Sequence, residues 1–229
     1  MTGPTPDRRT RKRLVTRQAI SDAATRLFME RGFDRVTIDE IAEAADVGRM
    51  TVFNHFPRKE DMFFDREQEA HDVAFEAIRS RSPGTSPIGA LGELAHRMAD
   101  QREPAFPLFA DTKAFVETAQ ASEALKARAR QMRDDFIRAL AVVLPEAADR
   151  PSDDADAYLA AGLITSAWST AFVRSHAKMS ETGDLDAAKG TFLALVDRGV
   201  RGTHAALSDT PCAAGLTHTR VIQRLVGRP

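Results

Sequence analysis

The 229-residue chain has a single cysteine, Cys212, so no disulfide can close within it and a reducing compartment is expected. It has no long apolar run. The longest uncharged stretch, Ala157 to Val173, has 17 residues and is interrupted by Thr165, Ser166, Ser169 and Thr170, short of the roughly 20 apolar residues that cross a bilayer. No apolar core of a signal peptide opens the chain, so a cytoplasmic protein without a membrane partner is expected. The 13 glycines form no phosphate-cradling loop, and H-E-x-x-H, C-x-x-C and G-x-S-x-G are absent. The six histidines are scattered. Glu67 and His71 stand one helical turn apart and could join a metal site, but a solvated pair is the plainer reading. These absences leave no catalytic residue, metal site or cofactor to expect, and weigh against an enzyme.

Net charge is only −1, so global charge identifies no partner; its distribution says more. Arg8, Arg9, Arg11, Lys12, Arg13 and Arg17 fall within ten positions. Together with two prolines and a glycine, the start of this run predicts a disordered basic arm over residues 1–12, able to neutralise phosphates.

Helical periodicity dominates the rest, with no strand alternation, and predicts an all-α chain of about nine helices. Ile20, Ala23, Ala24, Leu27 and Phe28 lie on one face of a first helix, which Gly32 closes. Thr37-Ile38-Asp39-Glu40 has the form of a capping box opening a second, short helix. After a break at Asp46-Val47-Gly48, a third helix is expected from Arg49 to about Phe56, ended by Pro57. A long helix is predicted over about 58–79, with Met62, Phe63, Val73, Ala77 and Ile78 inward. Ser86-Pro87 opens another as N-cap and N1 proline. Further helices are expected near Phe109 to Val116, over about 122–144, 153–176 and 184–207, with Pro145 to Asp154 as a polar loop. Residues 209–229 are weakly patterned.

Two short helices joined by a tight turn make a helix-turn-helix, in which the first helix braces the second and the second presents side chains to base edges in the major groove. Ile41, Ala42, Val47, Val52 and Phe56 form the inward set; Arg49, Met50, Thr51, Phe53, Asn54 and His55 form the outward one. Arginine can grip guanine bidentately, asparagine adenine, and a threonine methyl can meet the thymine methyl. Asn54 is the chain's only asparagine.

The run from Val36 to Asp61, with Thr37, Ile41-Ala42, Ala45, Val47, Thr51, His55-Phe56 and Lys59-Glu60 in place, resembles the amino-terminal domain of TetR-family regulators; the likeness covers about residues 14–64. Against that family's pattern, Asp46 stands for a glycine, Gly48 for a serine N-cap, Met50 for a glycine and Phe53 for a tyrosine. The resemblance implies a helix-turn-helix domain over 13–60 and a helical effector-binding and dimerisation domain over 61–208. It also implies backbone contacts from His55 and Lys59. The expected DNA-binding set is thus Thr37, Arg49, Met50, Thr51, Phe53, Asn54, His55 and Lys59.

The implied function is a sequence-specific, homodimeric transcriptional regulator, a repressor released from a palindromic operator by a small, mostly apolar effector. The last two long helices would form the dimer interface, and Ala157, Ala160, Ala161, Gly162, Ala167 and Ala171 allow close helix approach there. Leu94, Met98, Phe109, Phe115, Met132, Phe136, Trp168 and Phe172 are candidates for an effector pocket, although an aromatic stripe at helical spacing also suits an ordinary core. The segment from Lys113 to Arg133 resembles a subgroup with acyl-CoA-like effectors. The helix over about 58–79 would be the lever between effector and DNA.

Overall fold

A computed structural model describes residues 7–100, 112–148 and 155–208. The described residues hold ten α-helices, one 3-10 turn and no strand. The all-α expectation holds and the count of nine is one short. The tail beyond Ser208 and Phe109 lie outside the described residues. The chain forms two compact units: the first takes it to Glu67 and adds Ala114–Ala129, and the second takes Gln68–Lys113 and the chain from Arg130.

In the first unit, α1 (Arg8–Arg31) is capped by Asp7, whose carboxylate accepts from the Thr10 amide at 2.6 Å. This corrects the expected arm over 1–12, which is helical from Arg8. The prolines stop at Pro6, and the arginines and lysine that follow are good helix formers. Ile20, Ala24, Leu27 and Phe28 bury the face the periodicity predicts. Gly32, at φ +82°, ends α1 with its amide donating to the Phe28 carbonyl, and a 3-10 turn, Phe33–Arg35, follows.

Next come α2 (Ile38–Ala44) and α3 (Arg49–His55). Asp46 has φ +52°, the left-handed geometry that aspartate tolerates better than most residues, so the turn forms without the expected glycine.

The long helix expected over 58–79 is two: α4 (Lys59–Phe63) and α5 (Glu67–Arg79). No glycine or proline marks the break. Around it Phe63 stacks on Phe115 with ring centroids 4.3 Å apart, and Phe64 meets Phe115 edge-on at 6.0 Å. Phe115 sits on α7 (Thr112–Ala121), and α8 (Glu123–Ala147) follows it. Leu125 of α8 is fully buried in the same core as Ile20, Phe28, Ile41, Val52, Phe56 and Met62. The Ser122 hydroxyl donates to the Asp34 carboxylate at 2.8 Å. Arg128 spans two carboxylates, Asp61 at 3.1 Å and Glu67 at 2.5 Å. Residues 114–129 therefore complete the first unit rather than the second, against the boundary expected at 60.

The second unit contains α6 (Pro87–Asp100), α9 (Ala155–Thr182) and α10 (Leu185–Ala206), with most of α5 and α8. The N-cap reading at Ser86-Pro87 holds, the Ser86 hydroxyl accepting from the Gly89 amide at 2.9 Å. α8 runs through Pro145, which was expected to begin a loop. The prolyl nitrogen falls in the last turn, where buried Ala141, Val143 and Leu144 keep the helix on the core of Ile78, Ile88, Leu91, Ala160 and Ile164. Val73, expected inward, is exposed. α9 and α10 touch closely: a methyl at Gly199 would overlap the Cβ of Ala167.

Candidate nucleic-acid interface

The first unit holds α3 by its back. Val52 is fully buried and Phe56 nearly so, and the Thr37 cap fixes the start of α2, which braces α3. Both halves of the capping box form: the Glu40 amide donates to the Thr37 hydroxyl at 3.3 Å, and the Thr37 amide donates to the Glu40 carboxylate at 2.7 Å. That amide, with the Arg31 guanidinium 2.7 Å away, holds the Glu40 carboxyl down to about 2. Thr37 is exposed, but its hydroxyl serves the cap.

With α3 fixed, its front follows from helical geometry. At about 100° per residue, Arg49, Phe53, Met50 and Asn54 cover an arc of roughly 140° on the side away from Val52. All four are exposed, Met50 at 69%. Thr51 and His55 lie on the flank, half-buried. The face thus offers a guanidinium, an amide and two large apolar side chains. Arg49 pairs with Asp39 of α2 at 2.7 Å and lies 5.6 Å from the Phe53 ring. Such an exposed pair contributes little to stability, so Arg49 can exchange Asp39 for a base edge at small cost.

Of the two residues expected to touch phosphates, Lys59 is differently placed. Lys59 points inward: its ammonium donates to the Phe33 carbonyl, lies 4.2 Å from the Phe33 ring centroid, and has its pKa lowered by burial. His55 also titrates below its ordinary value, first through burial and then through repulsion by Arg13 and Arg17. Its ring is therefore neutral at neutral pH. Arg17, read from the sequence only as part of the basic run, donates to the His55 carbonyl at 2.7 Å and stacks 4.0 Å over Phe56. Arg17 thereby satisfies the carboxyl end of α3.

Of the residues expected to line a pocket, Leu94, Met98, Phe136 and Trp168 share one apolar cluster of the second unit. Phe115 belongs to the first unit's core, so it leaves the pocket list. In the second unit Leu94 is buried and Met98 packs against both apolar clusters. Phe136 stacks on Phe75 at 5.8 Å, Trp168 meets Phe192 edge-on at 5.5 Å, Phe172 lies against His176, and Met132 is half-buried. An open groove of about 540 Å³ between α6 and α10 is lined by Gly89, Gly92, His96, Asp197 and Val200 among others, and by none of the expected residues. Glu67, weighed with His71 as a metal pair, is held by Arg128, while His71 packs on Phe136. No described helix is long and apolar enough to cross a membrane.

Comparison with known proteins bears on the same segment. The family described as bacterial regulatory proteins, tetR family, matches residues 20–65, from the buried face of α1 to the turn after α4. The transcriptional regulator TcmR of Streptomyces glaucescens is 31% identical over 86 residues, 38% of each chain. The transcriptional repressor LfrR of Mycolicibacterium smegmatis is 33% identical over 90 residues, 39% of this chain and 46% of its own. The match thus spans less than half the length of either relative. The fold extends further: the SmeT–triclosan complex superposes with a TM-score of 0.54 at 16% identity, covering 82% of this chain and 91% of its own. The first unit thus carries the helix-turn-helix segment of the tetR family of bacterial regulatory proteins, and the chain shares the fold of a solved structure over most of its length.

Proposed function

We propose that the protein is a transcriptional repressor that reads a two-fold operator through α3 and is released by a small, mostly apolar effector. The observation that carries the DNA half is the exposed arc of Arg49, Met50, Phe53 and Asn54 on a short helix whose opposite side is buried. Arg49 and Asn54 supply base-edge contacts, and Met50 and Phe53 supply apolar contact to thymine methyls. Thr51 and His55 flank them, and the neutral His55 ring donates a hydrogen bond to a phosphate. Lys59 acts by positioning α4 against Phe33.

One α3 contacts too few bases to be selective, so a symmetric pair is required. α9 supplies a surface for it: Leu159, Leu163, Ser166, Thr170 and Val173 recur at the 4-3 spacing of a helix–helix seam, and all five are open to solvent in the single chain. On α10, Gly190 and Gly202 have open space where a side chain would be, which suits close approach of a second copy.

For the effector, the second unit offers Leu94, Met98, Met132, Phe136, Trp168 and Phe172. The Trp168 indole nitrogen and the Thr165 hydroxyl, one helical turn apart on α9, are buried without a hydrogen-bond partner. They suit an apolar molecule carrying an acceptor. Triclosan, the partner of SmeT in the superposed complex, is a molecule of that kind. An acyl-CoA-like effector loses its support, because the segment that suggested it lies mostly in the first unit.

Selection from a random duplex library by the purified protein tests this reading. The expected product is an inverted repeat with half-sites about 34–36 Å apart, or a multiple of that. Retention without any common sequence would refute it.

A further inference from the structure

We propose that the first turns of α1, residues 8–17, form a phosphate-binding arm that grips the DNA backbone beside the stretch faced by α3. The inference rests on the DNA-binding reading above and adds a second, sequence-blind contact to it.

Every residue from Asp7 to Val15 is exposed, and burial begins only at Ile20. These turns therefore gain nothing from packing, and so short an unsupported helix is marginal in water. Its charges make matters worse. Arg8 and Lys12, Arg9 and Arg13, and Arg13 and Arg17 are like charges at i,i+4 spacing, and cations in the first turns oppose the helix dipole. Beyond the capping Asp7, the first acidic residue is Asp22. Six cations in ten residues with no internal counter-charge need a polyanion, and phosphodiesters spaced along a duplex supply one.

The anchoring of the arm favours DNA over other polyanions. Arg17 is bound to the last carbonyl of α3 and stacked on Phe56, and Arg13 and Arg17 lie near enough to His55 to depress its titration. The arm therefore leaves the first unit at the carboxyl end of α3, where a duplex lying against Arg49 and Asn54 continues. The competing partner is an anionic lipid surface, since Leu14 and Val15 are 55% and 66% exposed on this basic helix. Two apolar side chains offer little to insert, and a membrane would compete with DNA for the same end of α3.

The test is a full-length variant carrying Arg8→Gln, Arg9→Gln, Arg11→Gln and Lys12→Gln, titrated against a mixed-sequence duplex of about 30 base pairs between about 50 and 200 mM salt. Each lost phosphate contact lowers the slope of log affinity against log salt by about 0.9, so loss of all four should make the slope shallower by about 3.6 per protomer. Thermal unfolding should not fall, because the replaced side chains are exposed, lie outside the core and repel one another along the helix. An unchanged slope in a variant that still binds would overturn the arm and leave the DNA reading standing. Failure of the unmodified protein to bind the duplex even at the lowest salt would overturn both. Capture on phosphatidylserine vesicles, stronger than on the duplex and lost in the variant, would assign the arm to a membrane instead.

Discussion

Glu40 illustrates how one carboxylate orders the reading head. It accepts from the Thr37 amide and hydroxyl and faces Arg31, and its titration falls from 4.5 to about 2. A carboxyl held down in the folded state stabilises it fully above the unfolded pKa, and that contribution fades as pH falls from about 4.5 toward 2. Glu40→Gln should therefore be less stable than the unmodified protein at pH 7 and should flatten the acid limb of its stability curve. Thermal unfolding across that range checks this; parallel curves for the two proteins would contradict it. The cap was legible because it depends on four consecutive residues. Lys59 was not, since its partner Phe33 lies 26 positions away and nothing in the local pattern ties the two.

At the scale of elements, the first unit depends on a segment that a linear reading assigns elsewhere. Arg128 of α8 bridges Asp61 in α4 and Glu67 at the start of α5, with only 14% of its side chain exposed. Removing it leaves two partly buried carboxylates without their cation, so Arg128→Ala should cost about 1–3 kcal/mol. Arg128→Lys should recover only part, because an ammonium lacks the fork that spans two carboxylates. Equal stability of all three proteins in denaturant titration would show the bridge to be idle. The expected lever, one helix over 58–79, gives way to a break at 64–66 and to the Arg128 contact, neither of which leaves a periodic signal. Helices opened by a local cap, α2 and α6, were found where expected; the α4–α5 break and the helical Pro145 are set by tertiary packing. The α9–α10 crossing is equally local to test. Gly199→Ala would drive a methyl into Ala167, and overpacking of this kind costs about 1–3 kcal/mol. Unchanged unfolding would mean that the two helices part more easily than their contact implies.

For the whole molecule, selectivity requires two reading heads, and the exposed stripe on α9 is the surface proposed to pair them. Leu163→Glu leaves the protomer core untouched, because Leu163 is exposed in the single chain. It should weaken self-association at least about tenfold, about 1.4 kcal/mol, with thermal unfolding compared at matched protomer concentration. Sedimentation equilibrium with identical association for both proteins would place the dimer seam elsewhere. The two-part plan of the chain was legible from its motif and helix order, whereas membership of residues 114–129 in the first unit depends on Phe115, Ser122, Leu125 and Arg128 meeting partners dozens of residues away.

The central claim, that the outer face of α3 reads bases, is tested most directly by the affinity ratio between the library-selected duplex and a mixed-sequence duplex, for the unmodified protein and for Asn54→Ala. Asn54 is exposed and lies outside the core, so its removal isolates recognition. Loss of a base contact worth about 1–3 kcal/mol should lower affinity for the selected duplex by about 5- to 150-fold and leave the mixed-sequence duplex nearly unchanged, collapsing the ratio. An equal loss on both duplexes, or none on either, would contradict the account.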